Sequence, residues 1–325
     1  MKKVLVMGGS YFIGRKIVEI FKDSNYDITV LNRGTKEEMP GIRHIKCDRN
    51  HEEEMGKLLR EEIFDIIIDV CGLNSNQAKI LLQSVNTTKL QRIIFISSSS
   101  VYDIENLSPP FKENDALGYN SYWKDYGQNK IEAEAIYKKF AKANSISLVI
   151  LRPPYVYGEN NYAQRESFIF DHIENDKPII VPSADYKLQF IYSGDLANIV
   201  LCFAKMDKMP MINIFNVGNK NELTATEWIT ECSKAANKKA KIVYYDHISH
   251  RRHIRDFFPF YDYDNYLDVN LVNKHYNVET SMFDGLRHAY DWYKSQKNTI
   301  HFKENVSLNE IEILKESKSV DEPNI

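Results

Sequence analysis

The amino-acid sequence predicts an α/β protein with a doubly wound parallel sheet and a smaller C-terminal lobe. Two observations support this prediction. Short, almost wholly apolar segments alternate with segments of helical periodicity as far as Arg152, and prolines and clustered aromatic residues replace this alternation afterwards. Uniformly apolar strands that alternate with helices indicate a parallel sheet that is covered on both faces. Because each strand–helix–strand crossover is right-handed, we expect the sheet to be doubly wound.

The predicted elements follow one another in a regular order. A first strand ends at a pair of glycines, and the next segment carries apolar residues at helical spacing, with Ile13, Ile17 and Phe21 on one side. The fifth strand ends in a run of four serines. The predicted strands cover residues 4–7, 28–31, 43–47, 65–70, 92–96 and 147–151, and the first two helices cover residues 12–21 and 50–60.

Composition divides the chain into three parts. Residues 1–152 form the predicted sheet domain, to which late elements from about 189–217 return. Residues 153–297 form most of the smaller lobe, which we expect to bind the substrate. Residues 298–325 are a charged tail, in which residues 308–314 form one amphipathic helix or stay disordered.

Charge, cysteine content and hydropathy restrict the possible function classes. The net charge of −3 does not indicate a basic surface for nucleic acid. No two of the four cysteines have C-x-x-C spacing, which favours reduced thiols. The apolar run at residues 4–7 is too short for a secretory signal, and no apolar stretch approaches the roughly 18 residues that cross a bilayer. We therefore predict a cytoplasmic protein with no membrane partner.

A glycine loop joins the first strand to the first helix. Gly8 allows the chain to turn sharply after the strand, and Gly14 lets the helix approach the sheet. The N terminus of the helix then offers N–H groups and a partial positive charge to a pyrophosphate. A tight turn without a ligand is the alternative, but the position between a strand and a helix favours a dinucleotide. The residues predicted to bind a nicotinamide dinucleotide here are Gly8, Ser10, Tyr11, Phe12, Ile13 and Gly14.

Three later residues refine the choice of dinucleotide. A carboxylate at the end of the second strand would bind the ribose 2′-hydroxyl and repel a 2′-phosphate, but the residues there are Asn32 and Arg33. Arg33 can pair with a 2′-phosphate, or it is a solvated turn residue. Asp48, after the third strand, is predicted to accept a hydrogen bond from the adenine amino group. NADP(H) is therefore favoured as the cofactor, with NAD(H) also possible.

Tyr126 and Lys130 form the predicted catalytic pair. Their spacing places both side chains on one face of a helix between the fifth and sixth strands. The Lys130 ammonium favours the phenolate form of Tyr126 and lowers its pKa. Such a tyrosine exchanges a proton with an alcohol whose carbon exchanges a hydride with nicotinamide, and Lys130 also binds the ribose hydroxyls. Ser98, at the end of the fifth strand, is predicted to orient the substrate oxygen.

No metal site is predicted. His247, His250 and His253 recur every third residue, but acidic partners are lacking and basic residues surround them. Arg251 and Arg252 are predicted instead to attract an anionic substrate, with a plain solvated segment as the alternative.

Several motifs then resemble those of a known family. They are the glycine loop 8–14, Ser97-Ser98-Ser99-Ser100-Val101-Tyr102, Tyr126…Lys130, Leu151-Arg152-Pro153, Val156-Tyr157-Gly158 and Ser193-Gly194-Asp195-Leu196-Ala197. In this order they resemble the extended short-chain dehydrogenases/reductases, the NAD-dependent epimerase/dehydratase proteins, over roughly residues 1–295. The resemblance implies a Rossmann domain, a substrate lobe and a homodimer built through helices near residues 74–86 and 126–143. It also supports Ser98 as the catalytic serine. Cys71, Gly72 and Pro153 are assigned to the cofactor site, and Ser99 and Tyr155 to the substrate site.

Departures from the family pattern restrict the expected substrate. Tyr11 replaces the usual middle glycine of the loop, as in an atypical branch that includes the chloroplast stem-loop-binding proteins. Ser99 and Ser100 stand where dehydratases of the family carry Asp-Glu, which disfavours elimination of water. Tyr155 and Leu188 replace an asparagine and an arginine that are usual in nucleotide-sugar epimerases.

The sequence therefore predicts an NAD(P)-dependent oxidoreductase or epimerase. Its expected substrate is a sugar-like secondary alcohol or the corresponding ketone, with a nucleotide sugar among the candidates. Two alternatives remain: a nucleotide-binding protein that interacts with RNA, as in the stem-loop-binding branch, and a regulator that senses the dinucleotide without catalysis. The net charge and the Ser-Tyr-Lys set make nucleic acid the less favoured partner.

Overall fold

A computed structural model describes residues 1–300, 302 and 304–320 of the chain. The chain forms two compact units. The first unit contains Met1–Val156, Phe190–Lys220 and Tyr266–Glu279. The second contains Tyr157–Gln189, Asn221–Asn265 and the chain from Thr280 onward.

The secondary structure alternates throughout the first unit. The strands are β1 (Lys2–Met7), β2 (Tyr26–Asn32), β3 (Arg43–Lys46), β4 (Ile66–Asp69), β5 (Arg92–Ile96), β6 (Ser147–Arg152), β7 (Tyr155–Tyr157), β8 (Pro178–Pro182), β9 (Leu188–Tyr192), β10 (Ile212–Asn216), β11 (Glu222–Leu223) and β12 (Lys241–Tyr245). The helices are α1 (Phe12–Lys22), α2 (Glu52–Leu59), α3 (Ser75–Ser84), α4 (Asp125–Asn144), α5 (Arg165–Glu174), α6 (Ser193–Lys205), α7 (Ala225–Ala236), α8 (Asn270–Asn273), α9 (Met282–Gln296) and α10 (Glu304–Val320). Short 3₁₀ turns lie at Ser99–Val101 and Ile254–Asp256.

A seven-stranded parallel sheet forms the centre of the first unit. Its strand order is β10-β6-β5-β4-β1-β2-β3, and every neighbouring pair runs parallel. In the middle of the sheet Val4 lies opposite both Ile28 of β2 and Ile66 of β4. The central strands are buried because apolar side chains cover both of their faces, as the uniform sequence runs predicted. The predicted α/β fold class is confirmed.

The order of the strands reverses between β1 and β4. Chain connections leave these two neighbouring strands in opposite directions, and such a switch point opens a crevice at the carboxyl ends of the strands. The turns that follow β1 and β4 therefore lie side by side. Contact between them is close, because a Cβ atom added to Gly8 would meet the Cys71 Sγ atom at 2.8 Å.

Two boundaries differ from the sequence-based division. Residues 212–217 supply β10 at the edge of the sheet, so this segment does return to the first unit. The segment Tyr266–Glu279 also belongs to the first unit, although composition had grouped it with the smaller lobe. Leu267 pairs with Phe111 in an isolated bridge, a long-range contact that local periodicity does not reveal.

The second unit combines short strands with helices. Strands β8 and β12 pair in parallel, and β11 pairs antiparallel with the start of β9. Helix α7 begins with a capping box, in which Thr224 and Glu227 each accept a hydrogen bond from the other residue's backbone N–H. Trp228, on the same helix, is fully buried and packs edge-on against Tyr157 at 5.3 Å between ring centroids.

The charged tail forms helix α10, which packs on the second unit. Ile313 is fully buried, while Arg252 makes ion pairs with Glu312 and Glu316 at 3.3 and 2.6 Å. The His172 Nε2 atom lies 2.8 Å from the Glu310 carboxylate. The predicted helix at residues 308–314 is thus part of a longer one, and its docking explains why disorder, the alternative for this segment, is wrong over residues 304–320. The many charges of the tail are paired across the helix surface rather than left in solvent.

In the part of the chain that the structure describes, no helix is both long and apolar enough to cross a membrane.

Candidate functional site

The turn after β1 requires glycine at two positions. Gly8 has a φ of +88°, a backbone conformation that favours glycine, and its N–H donates to the Leu31 carbonyl at 3.0 Å. A Cβ atom on Gly14 would collide with the Gly8 carbonyl group. The first turn of α1 therefore lies directly against the end of β1. These two glycines perform the roles that the sequence predicted for them.

The geometry of this turn fits a dinucleotide pyrophosphate. Helix α1 begins at Phe12, and its first turn carries no acidic residue that would oppose a bound anion. Tyr11 is the N-cap residue, with extended backbone angles. Lys36 lies over the Tyr11 ring, with Nζ at 5.0 Å from the ring centroid, which adds a positive charge near the loop. The predicted residues Ser10 and Ile13 are half-buried beside these positions.

The turns after β2 and β3 carry the residues predicted to contact the adenosine half. The Asn32 Oδ1 atom accepts a hydrogen bond from the Gly34 N–H at 2.7 Å, which fixes the turn, and Arg33 is exposed. The Asp48 carboxylate accepts hydrogen bonds from the backbone N–H and the side chain of Asn50 at 2.9 and 2.8 Å. These bonds lower the pKa of Asp48, so its carboxylate remains an acceptor.

Asp69, the last residue of β4, is the centre of a buried polar group. Its carboxylate forms a bidentate ion pair with Arg49 at 2.8 and 2.9 Å. The Tyr137 hydroxyl donates to the Asp69 Oδ2 atom at 2.5 Å, and the Cys71 N–H donates to Oδ1 at 3.1 Å. Burial raises the pKa of Asp69, but the charge and hydrogen bonds of Arg49 and Tyr137 lower it further, so Asp69 is ionised.

The turn after β5 carries the four serines. The Ser97 hydroxyl donates to the Glu134 carboxylate at 2.7 Å, whereas the Ser98 Oγ atom accepts from the Ser100 N–H at 3.2 Å. Ser98 is half-buried, and Ser99 is buried with its N–H bound to the Pro153 carbonyl at 2.9 Å. Ser98 is thus the most accessible serine of the four, in the position that the sequence predicted for the catalytic one.

Tyr126 and Lys130 lie in the first two turns of α4. Tyr126 is 39% exposed, and Lys130 is 3% exposed. The Lys130 ammonium donates to the carbonyls of Gly72 and Ile96 at 2.8 and 2.9 Å. Burial lowers the pKa of Lys130 to about 8, although the nearby Asp69 carboxylate opposes this shift. Lys130 is therefore held between the turn after β4 and the end of β5, on the same helix as Tyr126.

Helix α4 packs closely on the serine turn. A Cβ atom added to Gly127 would meet the Ser100 carbonyl oxygen at 2.5 Å, so glycine at this position lets the helix approach. The aromatic ring of Trp123 lies 5.8 Å from that of Tyr126 and 6.2 Å from that of Tyr155. Tyr155, predicted to bind substrate, is buried within this aromatic group.

The buried face of α4 is unusually polar. Glu134 forms a bidentate ion pair with Arg152, with Oε1–Nε and Oε2–Nη2 distances of 2.9 and 2.7 Å. Burial raises the pKa of Glu134, but the hydrogen bonds and charge of Arg152 outweigh this effect and lower it. Arg152 also donates to the hydroxyl of Tyr102 at 3.1 Å. The polar groups on this face are thus satisfied by fixed partners, which holds α4 in one position against the sheet.

The structure brings together most of the residues predicted for the site. The glycine loop and the turns after β2, β3, β4, β5 and β6 all belong to the first unit, as do Tyr126, Lys130, Pro153 and Tyr155. Arg251 and Arg252 belong to the second unit. Arg251 is exposed, but Arg252 makes ion pairs with α10, so its charge is already matched by protein carboxylates. Leu188 is buried in β9.

Sequence reasoning missed Asp69 and Arg49. The signals were present: an acid ends the otherwise apolar strand β4, and an arginine directly follows Asp48. Only the fold shows that the two side chains meet. Among the described residues, no group of three or more His, Cys, Asp or Glu side chains is arranged to hold a metal ion.

Comparison with known proteins gives consistent matches over most of the chain. Residues 4–218 match the sequence model of the NAD dependent epimerase/dehydratase family. A chloroplast stem-loop binding protein of 41 kDa (form b) from Arabidopsis thaliana is 27% identical over 310 residues, which cover 89% of this chain and 79% of that protein. A putative UDP-glucose 4-epimerase from Methanocaldococcus jannaschii is 24% identical over 91% of this chain and its own full length.

Solved structures share the fold at lower identity. A UDP-glucose 4-epimerase from Thermotoga maritima, solved with UDP-glucose, has a TM-score of 0.76 at 16% identity and covers 91% of this chain and 99% of its own. A UDP-glucuronic acid 4-epimerase from Bacillus cereus, solved with NAD, has a TM-score of 0.74 at 21% identity, covering 90% of this chain and 99% of its own.

Proposed function

This chain belongs to the NAD dependent epimerase/dehydratase family, as its motifs predicted, and on that premise we propose that it interconverts a secondary alcohol and a ketone on a sugar-like substrate. The observation that carries the proposal is the position of Lys130. Its buried ammonium is held by two carbonyl groups at 2.8 and 2.9 Å, one helical turn from the exposed Tyr126. A buried lysine with a lowered pKa beside an accessible tyrosine is an arrangement suited to proton transfer.

The cofactor of this reaction is a nicotinamide dinucleotide, which when bound accepts or donates the hydride. The residues that would hold it are the glycine loop from Gly8 to Gly14, Asp48, and the turn at Cys71 and Gly72. Lys130 would hold the nicotinamide ribose. An ammonium has three N–H donors, and the two carbonyl groups use two of them, which leaves one donor for a ribose hydroxyl.

Three side chains of this chain act on the substrate in the proposed mechanism. The Ser98 hydroxyl donates a hydrogen bond to the substrate oxygen and orients it. The Tyr126 hydroxyl gives a proton to that oxygen during ketone reduction, and its phenolate takes the proton back during alcohol oxidation. Lys130 stabilises the phenolate by its positive charge. The same three roles serve epimerisation and simple reduction, which share the proton and hydride steps.

The substitution Tyr126→Phe tests this mechanism. We expect turnover to fall by about 10²–10⁴-fold, the usual contribution of a general acid or base, with little change in the affinity for the dinucleotide. Turnover is measured by the change in nicotinamide absorbance, and affinity is measured by calorimetry. Tyr119→Phe, at another exposed tyrosine of the same unit, is the control and should keep full activity. Full activity in Tyr126→Phe contradicts the mechanism.

NADP(H) is the proposed form of the dinucleotide. Support comes from Asn32 and Arg33 at the end of β2, where the exposed Arg33 guanidinium is available to pair with a 2′-phosphate. The solved relatives with a named dinucleotide contain NAD, so NAD(H) is the direct competitor in any binding experiment.

A nucleotide sugar is the proposed substrate class to test first. The relatives that are named as epimerases act on UDP-sugars according to their names. The Asp-Glu positions of the dehydratases are the buried Ser99 and Ser100 here, so we propose no elimination of water. Tyr155 and Leu188 are both buried and apolar in their contacts, and they replace polar residues that usually contact the nucleotide, which makes a sugar without the nucleotide the second class to test.

RNA binding is a second candidate function, favoured by one observation. The relative that covers 89% of this chain at 27% identity is named as a stem-loop binding protein. Titration of a structured RNA at rising salt concentration distinguishes this candidate, because RNA affinity falls steeply with salt as counterions are released. Lack of binding at low salt, together with turnover on sugar substrates, removes it.

A homodimer through α3 and α4 is the proposed assembly. These two helices pack side by side in the first unit, where the Ser75 hydroxyl donates to the Glu132 carboxylate at 3.1 Å. Sedimentation of the full chain tests the proposal: a mass of twice the single-chain value supports it, and a mass of one chain contradicts it.

A further inference from the structure

We propose that Asp69 is the positioning residue for Lys130, and that Arg49 and Tyr137 hold Asp69 in place for this task. The proposal rests on the function proposed above, because it assigns to Lys130 the charge that the proton transfer needs. It concerns residues that the family motifs in the sequence do not include.

The first step of the argument is the fixed orientation of the Asp69 carboxylate. Arg49 donates to both carboxylate oxygens, at 2.8 and 2.9 Å, and Tyr137 donates to Oδ2 at 2.5 Å. Asp69 itself is fully buried. A bidentate arginine together with a third donor leaves the carboxylate one orientation, and burial strengthens each of these interactions.

The second step links this carboxylate to the turn that follows β4. The Asp69 Oδ1 atom accepts from the Cys71 N–H at 3.1 Å, which fixes the first residues of the turn. A Cβ atom added to Gly72 would lie 2.5 Å from Asp69 Oδ2, so the carboxylate is in direct contact with the Gly72 backbone. The Gly72 carbonyl in turn accepts a hydrogen bond from the Lys130 ammonium at 2.8 Å. Asp69 therefore determines where that carbonyl group lies.

The third step concerns the outer side of the turn. Arg49 also donates to the Cys71 Sγ atom at 3.0 Å and to the Gln77 carbonyl at 3.3 Å. The Gln77 side chain accepts from the Leu73 N–H at 2.9 Å and donates to the Asn50 side chain at 3.0 Å. The turn is thus attached to the loop that follows β3. This attachment places the adenine-side residue Asp48 and the Lys130 anchor on one connected network.

The fourth step is electrostatic. The charged and titratable groups that act on Lys130 are Asp69 and Glu134, which favour the ammonium, Arg49, which disfavours it, and the Cys71 thiol. Burial lowers the pKa of Lys130 to about 8, and Asp69 is the largest influence in the opposite direction. Without the Asp69 charge, Arg49 and burial would both act against the ammonium form.

The experiment is a titration of Lys130 by NMR in the full chain without added cofactor. The Lys130 signal of the side-chain methylene group next to the ammonium is identified by its loss in Lys130→Arg. We expect a midpoint near 8 in the wild-type chain. In Asp69→Asn the midpoint should fall by at least about one unit, the shift that a nearby opposite charge usually produces. An unchanged midpoint in a folded Asp69→Asn chain would falsify the proposal.

A second pair of variants keeps the test decisive if Asp69→Asn does not fold. Tyr137→Phe removes a donor that shields the Asp69 charge, so the Lys130 midpoint should rise. Tyr102→Phe is the matched control, because it removes an equally buried hydroxyl, which donates to Asn216 at 2.5 Å, and it should leave the midpoint unchanged. A shift of the same sign and size in both variants, or no shift in Tyr137→Phe, overturns the proposal.

Turnover gives an independent outcome for the proposed function. When the chain is active, the high-pH limb of the kcat profile should move with the Lys130 midpoint in each variant, while KM changes less than kcat. A midpoint that moves as expected in a chain without hydride-transfer activity supports the positioning role and contradicts the proposed function. An active chain whose midpoint does not move has the reverse meaning.

Discussion

Lys130 combines a cost in stability with a role in the proposed chemistry. The side chain is buried, and its ammonium is satisfied by two backbone carbonyl groups and nearby carboxylates. A lysine with a lowered pKa makes the folded state less favourable whenever it is protonated. Such a residue is expected at a functional site, where local stability is exchanged for reactivity.

The pH dependence of stability tests this interpretation of Lys130. Its pKa falls from 10.5 to about 8 on folding, so between these values the unfolded chain binds more protons than the folded chain. The stability associated with Lys130 is therefore complete above pH 10.5 and is lost as the pH falls through about 8. Across this window the unfolding free energy of the wild type should rise by about 3 kcal/mol relative to Lys130→Met. Urea unfolding of both chains measures the difference, and a constant difference contradicts the lowered pKa.

Arg33 is the single residue on which the choice of NADP(H) depends. Replacement by alanine removes the guanidinium that is proposed to pair with the 2′-phosphate, so NADPH affinity should fall about tenfold while NADH affinity stays the same. Calorimetry with both dinucleotides measures the two affinities. Arg43→Ala is the control, because Arg43 is also exposed but is already paired with Glu62 at 2.5 Å. Equal weakening of NADPH and NADH by the Arg33 change contradicts the preference.

Among the elements, the strands were the easiest to predict and the site network the hardest. Strand β5 was predicted with the same ends that the structure has, because a run of apolar residues between polar ones needs no long-range information. Ser98, Tyr126 and Lys130 were recognised because their position relative to the strands is local. Asp69 and Arg49 were missed because their significance depends on a contact between residues 20 positions apart.

Helix α10 shows a different limit of sequence reasoning. Its apolar residues are few, and only the structure shows that Ile313 is buried whereas Ile311 is 50% exposed. Its acidic residues looked like a solvated tail, but Glu312 and Glu316 pair with Arg252 and Glu310 pairs with His172. Surface ion pairs of this kind contribute little each, so the buried isoleucine should be the main anchor of the helix.

The substitution Ile313→Asp tests how α10 is anchored. A carboxylate at this buried position is not solvated, so the helix should detach locally while the sheet of the first unit stays intact. Hydrogen exchange measured by mass spectrometry should become fast in residues 304–320 and stay slow in β1, β4 and β5. Ile311→Asp places the same side chain at the exposed position and should leave the exchange of α10 slow. Fast exchange in both variants would mean that α10 is not docked through Ile313.

At the scale of the whole molecule, fold and chemistry separate. The parallel sheet and its switch point fix the positions at which a dinucleotide and a catalytic helix meet, and this part is shared with the solved relatives. The substrate is decided by side chains that differ from the usual family pattern, among them the buried Tyr155. Family membership therefore predicts the type of reaction better than it predicts the molecule that reacts.

The transfer of deuterium from the cofactor to a substrate carbon tests the central claim most directly. The full chain is incubated with NADPH that is deuterated at the reactive carbon of the nicotinamide, and with a panel of keto sugars in free and nucleotide-linked form. We predict that mass spectrometry finds deuterium on the carbon that becomes the alcohol, and that Tyr126→Phe loses this transfer by about 10²-fold or more while still binding the cofactor. Transfer that continues undiminished in Tyr126→Phe, or a chain that binds neither NADPH nor NADH, contradicts the account.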